Sequence, residues 1–471
     1  MLTPEQQTAL DAMLSGANVF LTGHAGTGKS FVVQRFKKES QGAVFLAPTG
    51  LAALNIGGST IHRFFGLPIG PLQPKALYQL STKAKSAIRQ ARSIVIDEIS
   101  MVRADLMQAV DERCRQATEV NKPFGGKQLI VVGDFYQLAP VVAKKEEEIW
   151  LLQNFGGPFA FNARAWKRAG FQLHDLKKSH RHVGDDGFIT ALNQVREGDI
   201  EGLAFINTNA LTKPDAKALV LCTTNRTAED CNATALARLN GVSVDFQAQL
   251  SGSFRPADAP APLILSLKPG ARVMVVANLE HECVNGDCGE VAHVADEVIQ
   301  VKLDSGREVK IQRKIWQAVE YTLIKSRGGS HLEPRVVGSF VQFPLRLGWA
   351  ITIHKSQGQT LANVSLDLGR GTFAEGQLYV GLSRVRSIDT LHLHRHLCAV
   401  DLIVSQAVCD FFASLQFQDS NQNGWGGQRE NSGRISYWPD GTVLKTMRLP
   451  AILEEEIKRF ALEKITNVLG A

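Results

Sequence analysis

Short apolar runs recur along the first half of the chain, each followed by a polar or glycine-bearing turn and then a helical stretch. The runs lie at 18–22, Ala43–Ala47, Ser93–Ile96 and Gln128–Val132, and Val, Ile, Leu and Phe fill them without strict alternation. Strands buried on both faces of a parallel sheet have this texture, whereas half-exposed strands alternate. Strands alternating with helices predict a doubly wound α/β domain, here over 1–170 with a short wedge-like insertion at about 66–90. Ligands of such sheets sit beyond the carboxyl ends of the strands, where the unusual residues of this half fall.

A second set of runs begins near Phe171, with strands at 218–222, 364–368 and 390–394 and a helix at 227–239. It predicts a second α/β domain made of 171–265 and 341–418. Between these parts, over 266–340, short strand-like runs at 271–277, 289–294, 297–303 and 308–311 are separated by turns such as Asn285-Gly286 and Asp304-Ser305-Gly306. That pattern predicts a small inserted β-barrel. The Asn-, Gln-, Gly- and Ser-rich stretch 419–433 reads as a linker, followed at 434–471 by a hairpin around Trp438-Pro439-Asp440-Gly441 and a helix.

A chain of 471 residues, 44% hydrophobic and 21% charged, has room for more than one core at about 100–200 residues per domain. The 52 Lys and Arg exceed the 46 Asp and Glu, a net +6 that permits nucleic-acid binding without requiring it. The 7 cysteines are odd in number and lack framework spacing, as in reduced, cytosolic proteins. Cys283 and Cys288 have no second pair at zinc spacing, and His392, His394 and His396 alternate along one strand face; neither set reads as a metal site. Residues 1–7 are polar and lead straight into a helical stretch, so no signal peptide is expected. No apolar run reaches the roughly 18 residues that a membrane span needs. The expected setting is the cytoplasm, with no membrane partner.

Gly23-His24-Ala25-Gly26-Thr27-Gly28-Lys29-Ser30 fits the phosphate-loop pattern in its required context, after an apolar strand and at the start of a helix. Glycines allow backbone N–H groups to surround phosphate oxygens, and the helix N-terminus adds a favourable dipole. Lys29 supplies charge to the β- and γ-phosphates, and the Ser30 hydroxyl is a ligand for Mg²⁺. Asp97-Glu98 follows the apolar run Ser93–Ile96. Asp97 is placed to hold Mg²⁺, directly or through water, and Glu98 to polarise the attacking water. Gln137, in Gly133-Asp134-Phe135-Tyr136-Gln137, is placed to sense the γ-phosphate. In the second half, Arg384 closes a helix in Gly381-Leu382-Ser383-Arg384 and Arg181 stands near that domain's start. A guanidinium offered across an interdomain cleft makes hydrolysis depend on cleft closure. ATP and Mg²⁺ are therefore the expected cofactors.

Several segments, in order, resemble the Pif/RecD-like branch of superfamily-one helicases over 1–397. Leu2-Thr3-Pro4-Glu5-Gln6 resembles the family's adenine-reading motif. Ala47-Pro48-Thr49-Gly50 and Gly57-Gly58-Ser59-Thr60-Ile61-His62-Arg63-Phe64-Phe65-Gly66 are similar to its DNA-contacting segments. Pro123-Phe124-Gly125-Gly126-Lys127-Gln128-Leu129 is similar to the Pif signature. Gly348-Trp349-Ala350-Ile351-Thr352-Ile353-His354-Lys355-Ser356-Gln357-Gly358-Gln359-Thr360 matches the motif that touches both DNA and nucleotide, and Gln377-Leu378-Tyr379-Val380-Gly381-Leu382-Ser383-Arg384 matches the finger motif. Ala139 departs from the pattern, standing where the family usually has proline.

The resemblance implies two RecA-like domains, the second carrying an SH3-like barrel, and 5′-to-3′ movement on single-stranded DNA with unwinding of duplex or forked DNA. It extends the partners to RNA–DNA hybrids and G-quadruplexes, and implies a bacterial-type, nucleoid-associated monomer. Gln6, Gly23, Ala25, Gly26, Thr27, Gly28, Lys29, Ser30 and Gly358 become nucleotide contacts. Pro48, Thr49, Thr60, His62, Phe64 and Phe65 in the first domain, and Thr352, His354 and Lys355 in the second, become DNA contacts. Two other readings share parts of the sequence: a translocase that strips proteins or remodels hybrids, and a nucleotide-switched DNA-binding scaffold.

Overall fold

The apolar runs of the first half become β1 (Val19–Gly23), β2 (Ala43–Ala47), β4 (Ser93–Ile96) and β5 (Gln128–Val132), joined by the short β3 (Ser59–Thr60) and by β6 (Gln172–Leu176). All pair in parallel, in the order β3-β2-β4-β5-β1-β6. The structure, a computed structural model, describes residues 2–68, 70–72, 80–142, 144–178, 185–212, 217–279, 283–326 and 329–422.

Successive strand residues feed opposite faces of this sheet. Val19, Leu21, Phe45, Val95, Ile130 and Val132 pack with Ala9, Leu10 and Met13 of helix Pro4–Leu14 and with Val32, Val33 and Phe36 of helix Lys29–Glu39. Their neighbours Phe20, Val44, Leu46, Ile94, Ile96, Leu129 and Val131 pack on the other side with Met107 and Val110 of helix Ala104–Thr118. The unbroken apolar texture of these strands is thus the mark of a sheet with two dry faces.

β6 corrects the domain boundary. It pairs with β1 from Val19 beside Gln172 to Gly23 beside Leu176, so the first lobe runs past 170. Its sequence, Gln-Leu-His-Asp-Leu, is that of a partly exposed edge strand, and so lacks the apolar signature.

The second lobe opens with β7 (Leu219–Cys222). The chain then leaves it through β8 (Val244–Gln247), β9 (Gln249–Gly252), β10 (Ile264–Leu267), β11 (Arg272–Val275), β12 (Cys288–Val294), β13 (Ile299–Leu303), β14 (Glu308–Ile311), β15 (Lys314–Ser326), β16 (Gly329–Gln342) and β17 (Leu345–Leu347). It returns as β18 (Ala350–Thr352), β19 (Val364–Asp367) and β20 (Leu391–Leu393). β18-β7-β19-β20 is again parallel.

The inserted strands β14-β13-β12-β11-β17 are antiparallel and enclose their own core of Val273, Val291, Ile299, Val301 and Ile311. Among the described residues no ladder joins β14 to β17, so these strands form an open sheet where a closed barrel was expected. Phe246 of β8, Leu265 of β10 and Leu345 of β17 belong to the same core. The insertion therefore starts earlier and ends later than 266–340. β15 and β16 form a long hairpin, paired on one side with β9.

Past the second lobe, helix Gln406–Gln422 returns the chain to the first. Phe411 stacks on Phe161 at 4.3 Å, Phe412 stacks on Tyr136 at 5.0 Å, and Val408 is buried in the first lobe's core. Assigning this helix to the second domain is thereby corrected: its aromatic pair covers apolar surface beside β1 and β5. By contacts, Met1–Leu415 is one unit and Gln416–Ala471 another; residues 419–422, expected to open the linker 419–433, belong to helix Gln406–Gln422, and the rest of the expected linker and the terminal module lie outside the described residues. Among the described residues no helix is long and apolar enough to cross a membrane.

Candidate nucleotide site and nucleic-acid interface

β1 ends at Gly23, and the loop that follows runs into helix Lys29–Glu39 with Gly28 as its left-handed N-cap at φ 86°. A cavity of about 740 Å³ opens over this loop. Ala25, Gly26, Thr27, Gly28, Lys29 and Ser30 line it from below, Asp97, Glu98, Gly133 and Gln137 from the neighbouring strand ends, and Gly358, Thr360, Arg384, Arg386 and Ser387 from the second lobe. Residues hundreds of positions apart thus face one space.

The Lys29 ammonium donates to the carbonyls of Gly23 at 2.7 Å and His24 at 3.0 Å. Burial lowers its pKa, opposed by Asp134 and Glu98. A phosphate would offer it a better-charged acceptor than its own loop does. Burial raises the pKa of Asp97. Glu98 is pushed up to about 7, by burial first and by Asp97 next. Glu98 also holds a left-handed backbone, φ 52° and ψ 49°, a conformation that costs a non-glycine residue on the order of 1–2 kcal/mol and that gathers at functional sites.

Two sequence-expected nucleotide contacts lie off the cavity lining. Gln6 is buried behind the loop; its amide nitrogen donates to the Thr27 carbonyl at 3.0 Å and its oxygen accepts from the Thr3 N–H at 3.0 Å. Gly23 forms the floor, where an added Cβ would collide with Leu176. Arg181 lies outside the described residues.

Arg384 is buried and donates to the Val380 carbonyl at 2.7 Å, to the Ser383 hydroxyl at 2.7 Å, and to the carbonyls of Ser356 at 3.2 Å and Gln359 at 3.1 Å. It therefore clamps the turn after β18 while facing the same cavity as Lys29.

Sequence reading missed several contributors. Arg386 and Thr360 line the cavity; a second arginine two places after Arg384 was the available signal for the former. The Tyr379 hydroxyl accepts from the Ala25 N–H at 3.0 Å, joining the second lobe to the phosphate loop. Gly376 lies so close to Tyr136 and Gln137 that a Cβ there would strike both carbonyls. Asp134 accepts two hydrogen bonds from Arg196, at 2.9 and 3.2 Å, and the guanidinium lies over the Tyr136 ring at 4.1 Å. Burial pushes Asp134 up, but Arg196 and Lys29 outweigh it and hold its pKa below the ordinary value.

Both partners of that pair are buried, so removing one strands a charge. Arg196→Ala is expected to cost about 3–5 kcal/mol in denaturant unfolding, whereas R196M combined with D134L recovers most of it. A loss in the double variant equal to the sum of the losses in R196M and D134L taken singly would show that the two charges are not coupled.

The expected DNA contacts divide between the lobes. Pro48 and Thr49 follow β2; the Thr49 hydroxyl accepts from the Ala52 N–H at 3.2 Å, and that of Thr60 from the Arg63 N–H at 3.3 Å, so both cap short helices. His62 is half-buried, its pKa lowered by burial. Phe64 and Phe65, expected as DNA contacts, are buried instead. They are 6% and 0% exposed and meet edge-to-face at 4.9 Å within the first lobe's core, where no base can reach them. In the second lobe Thr352 is buried and its hydroxyl accepts from the Lys355 N–H at 3.3 Å, shaping the turn His354–Ser356. Lys355 is exposed, and His354 is half-buried and stacks at 6.4 Å on Phe373. Phe373, 63% exposed, is a base-stacking candidate that its loop sequence did not single out.

A phosphate loop after β1 of one parallel-sheet lobe, an Asp–Glu pair after β4 of the same sheet and an arginine from a second such lobe define a two-lobed, RecA-like ATP-hydrolysing enzyme. Residues 1–203 match the PIF1-like helicase family. The ATP-dependent DNA helicase Pif1 of Bdellovibrio bacteriovorus is 35% identical over 406 residues, 83% of this chain and 87% of that protein. Bacteroides sp. Pif1 in complex with ADP-AlF4 superposes with a TM-score of 0.81 at 34% identity, over 89% of this chain and 98% of the other. Bacteroides Pif1 bound to ssDNA gives 0.65 at the same identity and coverage. This chain belongs to the PIF1-like helicase family.

Proposed function

We propose that this chain, an ATP-dependent DNA helicase, moves 5′ to 3′ along single-stranded DNA and opens the duplex at a fork. The observation that carries the reading is the single cavity faced by Lys29 of one lobe and Arg384 of the other. The γ-phosphate of ATP, held between these two cations, draws the lobes together; Glu98 orients the attacking water, and Gln137 reads the phosphate's presence. Ser30 and Asp97 offer a hydroxyl and a carboxylate, the hard oxygen donors that Mg²⁺ prefers, and the partly buried Asp97 carboxylate gains from a nearby cation; the ion would neutralise charge on the phosphates.

Translocation needs both lobes to hold the strand. Thr49, Thr60 and His62 grip from the first lobe, and His354 and Lys355, with Phe373 beside them, from the second. Contacts to phosphates and base faces hold any sequence equally. Closure then slides one grip while the other holds.

Matched duplexes bearing a 5′ or a 3′ single-stranded overhang test the reading. Strand displacement is expected with ATP on the 5′ overhang and not on the 3′ one; preference for the 3′ overhang reverses the polarity, and displacement of neither refutes unwinding.

A further inference from the structure

The turn that carries His354 and Lys355 also touches the hydrolytic centre. Gln357 caps this turn, and its amide donates to a carboxylate oxygen of Glu98 at 3.0 Å. The contact crosses the cleft between residues 259 positions apart. The next residue, Gly358, has φ +76°, and a Cβ there would stand 3.9 Å from the other oxygen of Glu98, so the backbone of this turn also lies along the carboxylate.

We propose that Gln357 is a positioning residue for hydrolysis, aiming Glu98 according to whether single-stranded DNA occupies His354 and Lys355. The inference rests on the helicase reading above.

Three features make this link mechanical. Glu98 sits in a left-handed backbone conformation, so its direction is maintained by its surroundings rather than by local preference. The turn is short: the Gln357 N–H returns to the His354 carbonyl at 3.3 Å, and the Ser356 hydroxyl to Ile353 at 2.8 Å. Arg384 fastens the same turn through Ser356 and Gln359. A phosphate bound at Lys355 therefore moves the Gln357 amide and the Arg384 guanidinium as one piece. The two groups that address the attacking water and the γ-phosphate would then respond to DNA together.

The test is steady-state ATP hydrolysis by the full chain and by Q357A and Q357E, with and without saturating oligo-dT, beside ssDNA affinity by fluorescence anisotropy. Q357E keeps the side chain's size while replacing the donor with an acceptor of like charge to Glu98. Misaiming a reacting group by about 1 Å can cost on the order of 10²-fold, so DNA-saturated kcat is expected to fall by about that factor in both variants. KM for ATP and Kd for oligo-dT should stay within about threefold of the parent, as for an interaction used only in the transition state. Full DNA stimulation in either variant overturns the proposal. So does a loss of ssDNA affinity parallel to the loss of stimulation, which would make Gln357 a structural support of the turn. Failure of DNA to stimulate the parent chain is a different result, and sinks the helicase reading itself.

Discussion

Lys29→Ala is expected to abolish ATP hydrolysis and strand displacement together while leaving single-stranded DNA binding in place. The ammonium stands over the phosphate loop, hydrogen-bonded to the carbonyls of Gly23 and His24. It is therefore poised to exchange these for phosphate oxygens. Deleting one preorganised donor at a developing charge costs roughly 10²–10³ in rate, and here the donor carries a full charge beside two partly buried carboxylates, Asp97 and Glu98. Because its hydrogen bonds go to its own loop, the substitution should shift Tm little. Hydrolysis at saturating oligo-dT and anisotropy with labelled oligonucleotide check both halves. Retention of DNA-stimulated turnover would contradict the role given to Lys29.

Arg384→Ala should lower kcat by about 10³–10⁵-fold, the range spanned by arginine fingers in phosphoryl transfer, with KM for ATP much less affected. The buried guanidinium also donates to the carbonyls of Val380, Ser356 and Gln359, so the alanine variant loses these bonds and loosens the turn, although the Ser383 hydroxyl still donates to Val380 and the Gln359 N–H to Ser356. Arg384→Lys separates the two roles. A lysine keeps the charge but cannot present a planar fork to several carbonyls at once. It should therefore fold more stably than the alanine variant yet remain strongly impaired in kcat. Single-turnover hydrolysis with a thermal melt on each variant decides the matter: a lysine variant with parental kcat would show that charge alone suffices and that the clamp on the turn is dispensable.

Much of the candidate nucleotide site was legible because its residues, which line one cavity, are largely contiguous in the chain. The phosphate loop occupies eight consecutive positions after an apolar strand, and Asp97-Glu98 and Gln137 each follow a strand whose texture announces it. Finding them requires only that strand ends of a parallel sheet converge. The candidate DNA-contacting segments were legible only through family resemblance, and the aromatic pair among them is buried. Phe64 and Phe65 could stack on bases or fill a core, and nothing local distinguishes these fates. Which way a five-residue helix turns its face is settled by what packs beneath it, here the first lobe's core, to which both phenylalanines belong.

The chain's linear order determined which chemistry each segment carries and which element it forms: hydrophobic spacing selects strand or helix, and glycine, lysine, serine and paired carboxylates at fixed offsets select a phosphate site. Both are properties of neighbours within one turn or one strand. Only tertiary structure decided that Arg196 meets Asp134, that Tyr379 caps Ala25 and that Gln357 holds Glu98, pairs separated by 62, 354 and 259 positions. It likewise placed β6 in the first sheet and returned Phe411 and Phe412 to the first lobe's core. Such meetings have no period along the sequence. They follow from burying apolar surface on both faces of two sheets, which brings the lobes to a cleft and decides which polar groups face one another there.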